Sequence, residues 1–146
     1  MRTLTKVSAR LITAVLAVAS LAPVAQAQNQ TFIAKMNVPF AFESASGQHF
    51  HPGVYTICIN GTQTVLIRGA ADSGLAMIQQ ANEGLTVSQG KAVFTHYGDK
   101  YYLHSVSVAG NSTRLLFGRS KAERQSQVAP GILPTAVELA LLQTGR

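Results

Sequence analysis

The chain has 146 residues, is 47% hydrophobic and only 12% charged, and carries a formal net charge of +6. So little charge with so much apolar content excludes an intrinsically disordered chain. A single cysteine, Cys58, excludes an intramolecular disulfide framework and a cysteine-rich zinc module, and the length suits one compact domain.

The start reads as an export signal. Arg2, Lys6 and Arg10 form a basic segment without acids, residues 11–21 are apolar apart from Thr13 and Ser20, and Pro23 precedes Ala25-Gln26-Ala27. This order predicts a secretory signal peptide over residues 1–27, cleaved after Ala27. The apolar run is shorter than the roughly 18 to 20 residues that span a bilayer. No cysteine stands at the cleavage point to carry a lipid. The expected product is a single domain, residues 28–146, in the periplasm or outside the cell, with no transmembrane segment. Losing Arg2, Lys6 and Arg10 leaves nine basic and six acidic residues, a net +3. The short basic cluster Arg114, Arg119, Lys121 and Arg124 reads as a solvated loop or helix face, and nucleic acid is not an expected partner.

Strand signals then alternate with turns. Residues 31–42 are extended, with Pro39 inside; proline cannot donate to a ladder, so this first strand is expected at an edge or bulged. His51-Pro52-Gly53 is a turn, and residues 54–59 form a β-branched strand containing Cys58, expected as a small buried hydrophobe. Asn60-Gly61 predicts a two-residue hairpin turn leading to residues 64–68. Further strands are expected over residues 75–80, 85–88, 91–97, 100–108 and 114–117. Residues 120–127 suit a short helix, and residues 137–142 suit either a helix or, preferred here, a closing strand. Residues 120–146 could therefore form a loosely packed tail.

The hairpin around Gly98-Asp99 has a readable register. His96 faces Tyr101, Phe94 faces Leu103 and Ala92 faces Ser105, giving a core face centred on Phe94 and Leu103. The other face, with Tyr97 and Tyr102 beside Lys100 and His104, reads as wetter.

Catalytic and metal signals are sparse. His49 and His51 share a face if extended but supply only two ligands, and His96 and His104 fall on opposite faces. No G-x-S-x-G elbow or glycine-rich phosphate loop occurs, so no cofactor is expected. Asp72 and Asp99 sit in turns, where aspartate bonds locally. The six acids are well separated and suggest no catalytic pair. Sequons at Asn29, Asn60 and Asn111 matter only in a glycosylating pathway.

Asn37-Val38-Pro39-Phe40-Ala41-Phe42, Pro52-Gly53-Val54-Tyr55, Phe94 with Tyr97-Gly98-Asp99-Lys100-Tyr101, and Ser120-Lys121-Ala122-Glu123-Arg124 follow one another in a recognisable order. In this the chain resembles a group of small exported proteins abundant in acidobacteria, with an N-V-P-F-x-F start and a P-x-G-x-Y turn. Those proteins have an apolar residue and Pro-Ala-Gly where this chain has His51-Pro52-Gly53, so its turn is one residue shorter. The resemblance implies a bacterial envelope or secreted setting and assigns no functional residues.

The expectation is an all-β domain, an antiparallel sandwich or small barrel of about 7–9 short strands. Its leading function is non-enzymatic binding or assembly, through a protein partner or self-association at the first strand's edge. The alternative is a small-molecule carrier with an apolar pocket lined by Tyr55, His96, Tyr97, Tyr101 and Tyr102. A third reading, an enzyme using His96 or His104 as a base, lacks a placed partner acid.

Overall fold

A computed structural model describes residues 31–142; the expected signal peptide and the last four residues lie outside them. In chain order they form β1 (Thr31–Val38), β2 (Phe42–Glu43), β3 (His49–Phe50), β4 (Gly53–Ile59), β5 (Thr64–Arg68), β6 (Ser73–Asn82), β7 (Lys91–Tyr97), β8 (Lys100–Ser107), β9 (Thr113–Phe117), α1 (Lys121–Val128) and β10 (Thr135–Ala140). The fold is all-β and sandwich-like, as expected, with one short helix.

One large sheet contains every strand. Antiparallel neighbours run β1-β4-β5-β6-β9-β8, then β7 on β8 and β10 on β7. The short β2 joins β8 through a parallel bridge, Glu43 to Tyr102, and pairs β3 on its other side. The sheet is therefore mixed. Its two long ends, β1 and β10, approach each other but meet at one bridge, where the Leu142 N–H donates to the Lys35 carbonyl at 2.7 Å. The sheet is not closed.

Period-two alternation decides what is buried. Tyr55 and Ile57 of β4, Val65 and Ile67 of β5, Ala76 and Ile78 of β6, and Ala92 and Phe94 of β7 all join one core. Cys58 has the opposite parity to Tyr55 and Ile57, so it lies half-exposed opposite Leu66, not buried as expected. Aromatic rings link the core. Phe42 stacks on Phe50 at 4.9 Å and meets Tyr55 and Phe94 edge-on, both at 5.3 Å, and Phe94 meets Phe40 edge-on at 5.2 Å. Such contacts add about 0.5–1.5 kcal/mol each beyond area burial.

Several local expectations need correction. The first strand stands at the sheet's edge, as one of the two expectations had it, but Pro39 lies just beyond β1, whose pairing with β4 ends at Val38. The Asn60-Gly61 connection spans residues 60–63, with Gly61 at φ +86° and the Asn60 N–H donating to the Thr64 carbonyl at 2.8 Å. Residues 85–88 belong to a loop, not a strand, and Leu85 is exposed. The tail residues 135–140 form a strand on β7, with Val137 and Leu139 against the core.

The Gly98-Asp99 hairpin keeps the expected pairs His96–Tyr101 and Phe94–Leu103, but Ala92 faces Val106, not Ser105. A bulge at His104 puts Val93 opposite Ser105. The extra residue lets Leu103, Ser105 and Val106 all be buried. The face expected to be wet is not: Tyr97 and Tyr102 are buried and meet at 5.8 Å and 72°.

Candidate functional site

The five aromatic and histidine residues read as a pocket lining do not converge on one cavity. Tyr55 is buried in a clamp with His51 and Asp72. Tyr101 is half-buried between Phe40 at 3.8 Å and His96 at 4.2 Å, both rings stacked on it, so its two faces are occupied. The His96 Nδ1 lies 3.4 Å from the Thr135 hydroxyl. Tyr97 and Tyr102 are buried beside α1, where the Tyr102 and Ser126 hydroxyls are 3.2 Å apart. The interior between them is filled by Phe42, Phe50, Phe94 and their neighbours.

The clamp is built from a turn and a loop. The Asp72 Oδ2 accepts from the His51 backbone N–H at 2.8 Å, lies 3.0 Å from the His51 Nδ1, and accepts from the Tyr55 hydroxyl at 3.1 Å. Tyr55 also donates to the His51 carbonyl at 2.6 Å. The backbone and side-chain bonds from His51 hold the Asp72 carboxyl below its usual range. Burial, then the Asp72 carboxylate, pushes the Tyr55 phenol up to about 12. The arrangement pairs an aspartate with an imidazole whose other nitrogen faces solvent. Among the described residues no hydroxyl or thiol is hydrogen-bonded to the His51 ring, so no nucleophile completes it. Its evident work is to tie the turn at Pro52 to the loop before β6.

A more unusual site was not legible in the sequence. The parallel bridge sets Glu43 beside Tyr102, and α1 crosses the same corner. Ser120 caps α1, its hydroxyl accepting from the Glu123 N–H at 3.1 Å. Ser120-x-x-Glu123 is a capping-box pattern, in which the glutamate ordinarily turns back to the cap's own N–H. Here only the serine half is made, and Glu123 is 97% buried with its relative exposure at 3%. Glu43 is also buried, at 5% exposure. One Glu43 oxygen, Oε1, is buried without a hydrogen-bond partner, and the other lies 3.5 Å from the exposed His49 Nε2. Among the described residues no lysine or arginine nitrogen comes within 4 Å of either carboxyl.

The electrostatics follow from that placement. Burial raises the Glu123 carboxyl above its ordinary range, Arg119 pulls it down and Glu43 pushes it up. Burial raises Tyr97 as well, with Glu123 adding. On the far side of Arg119, burial lowers His104, and Arg119 and Arg114 lower it further. An open groove of about 370 Å³ runs over this corner, bordered by Glu43, His49, Asp99, Lys100, Tyr101 and Tyr102. A second, of about 400 Å³, adjoins it and shares Glu43 and His49. Glu43 and Glu123, eighty positions apart, are both buried at this corner, where β2 and α1 each adjoin Tyr102 of β8. Among the described residues no three histidine, cysteine, aspartate or glutamate side chains are placed to hold a metal, and none of the described helices is long and apolar enough to cross a membrane.

No protein-family model, curated protein or solved structure matches this chain.

Proposed function

We propose that this chain is an exported, non-enzymatic β-domain that works by protein binding, with self-association along the free edge of β1 as its form. The observation that carries the reading is the unclosed seam. β1 ends the sheet, and among the described residues Lys35 alone is bridged on its outer side. Backbone groups alternate sides along a strand, so Asn37, two residues from Lys35, points its N–H and C=O the same way. Such an edge is a template for a further strand. Export to the periplasm or beyond rests on the amino-terminal pattern and on the resemblance to small exported acidobacterial proteins. The carrier reading has less support, because its proposed lining residues diverge and the interior between them is filled.

The test uses the protein recovered from the envelope or culture fluid of cells expressing it. Amino-terminal sequencing is expected to begin at Gln28. Sedimentation velocity is expected to show a concentration-dependent oligomer, lost in Asn37→Pro while the far-ultraviolet dichroism persists. The proline deletes an outward N–H without touching the β4 ladder. A strict monomer up to about 1 mM, the weak end of specific association, overturns the assembly reading.

A further inference from the structure

We propose that the Glu43 carboxylate is the floor of a binding site for a primary alkylammonium, either a free amine or the lysine side chain of a partner protein. Strand parity makes the floor: Phe42 of β2 turns into the core, so Glu43 turns the other way, toward the two grooves that it shares with Ala122 of α1. Its side chain is only 6% exposed. Oε2 lies 3.5 Å from the His49 Nε2, and Oε1 is buried with no hydrogen-bond partner. Among the described residues no lysine or arginine nitrogen lies within 4 Å of either oxygen. A carboxylate withdrawn from water is costly without donors or a counter-charge, and Glu43 has one whole oxygen left to receive them.

The surroundings select the ligand. Oε1 points toward the turn between β2 and β3, where a Cβ built on Gly47 would stand 4.0 Å from it. Gly47, at φ +82°, has no side chain to cover the oxygen from that side. It lines the groove of about 400 Å³ together with Ser46 and Gln125, whose side-chain oxygens give an ammonium further acceptors. The adjoining groove of about 370 Å³ continues past Ala122 to Phe42 and Tyr102, an apolar wall for an alkyl stem. An ammonium is a compact point charge that a single oxygen can hold. A guanidinium fork needs both oxygens, and His49 crowds the second. A divalent ion needs more oxygen donors than this corner offers, and among the described residues no third ligating side chain joins Glu43 and His49. Lys121 lines the larger groove and Lys100 the smaller; both are exposed and neither reaches Glu43. They are the chain's own rivals for the carboxylate. β2 and β3 stand at the opposite end of the strand order from β1, so this site is independent of assembly along the β1 edge.

The experiment is isothermal titration calorimetry of the purified chain with n-butylammonium chloride near neutral pH, paired with carbon NMR of the glutamate carboxyls. One-to-one binding is expected with a Kd of about 1 mM or tighter, and the Glu43 Cδ signal is expected to move most. 1-Butanol lacks the charge and tetramethylammonium lacks the N–H donors. Both are expected to bind at least about tenfold more weakly, as is butylammonium to Glu43→Gln, the loss that removing a charge-assisted hydrogen bond brings. Nα-acetyl-lysine methylamide separates the two sources. Affinity equal to that of butylammonium assigns the site to a partner's lysine, and weaker affinity assigns it to a free amine. No binding up to about 10 mM overturns the proposal. So does binding that appears only in Lys100→Ala or Lys121→Ala, because the chain's own lysine then holds the carboxylate. Equal affinity in Glu43→Gln overturns it too. Should that variant not fold, tetramethylammonium binding as tightly as butylammonium, or a Glu43 signal that butylammonium leaves unmoved, does the same.

Discussion

Replacing Tyr55 with phenylalanine isolates the clamp on the turn at Pro52. The substitution removes one hydroxyl and leaves a ring that is 3% exposed and packed edge-on against Phe42 and Phe50. The lost group donates at 2.6 Å to the His51 carbonyl and at 3.1 Å to the Asp72 carboxylate. A neutral hydrogen bond contributes about 1 kcal/mol net and one to a charged group about 1.5–3. One proton serves both acceptors here. Asp72 keeps two donors from His51, and both acceptors lie near solvent, so neither is left stranded. The expected cost is therefore near the low end of the charged range, about 1.5 kcal/mol. With about 2 cal/mol/K of unfolding entropy per residue, that lowers Tm by about 6 °C for a domain of this size. Differential scanning calorimetry, with urea unfolding to check that the denaturant slope is unchanged, measures it. A fall below about 1 °C would refute the argument, because water would then be replacing the clamp at no net cost.

Two further outcomes follow from the same corner. A methyl group at Gly69 would lie 2.5 Å from the Tyr55 Cε1, so Gly69→Ala is expected to cost about 1–3 kcal/mol through overpacking, and an unchanged urea midpoint would show that the ring is free to move aside. The Tyr55 phenol stands near 12 in the fold against 10.0 unfolded. Its folded value is raised, so its contribution is complete below pH 10 and declines as pH rises toward 12. Urea unfolding should therefore give the native chain a steeper alkaline loss of stability than Tyr55→Phe, and parallel losses in the two would contradict the assignment.

Local chemistry made much of the fold legible. Gly98-Asp99 fixed one end of a hairpin because a two-residue loop leaves the strands few registers. The strands at residues 54–59 and 64–68 were legible from β-branched content and the Asn60-Gly61 turn, but the parity facing inward was not: Tyr55 and Ile57 are buried, not Cys58. The bulge at His104 was not legible, since the turn signal fixes only the end of the hairpin and no local residue marks where the register slips. Tyr97 and Tyr102 look solvent-facing in their own hairpin; the helix that covers them is twenty residues away and carries almost no apolar signal. The burial of Glu43 and Glu123 was hidden for the same reason: each acid sits in an unremarkable local setting, and the cover comes from distant elements.

The bridge between Lys35 and Leu142 ties the first described strand to a residue just past the last. Among the described strand pairings none spans more chain, so this seam is the last part that a polymer emerging amino-end first can complete. Until residues 135–142 are free, β7 lacks its outer neighbour β10 and Lys35 lacks its bridge to Leu142. The bridge also sets the two ends of the described residues side by side, so joining them and opening the chain at the loop between β5 and β6 should preserve the same architecture.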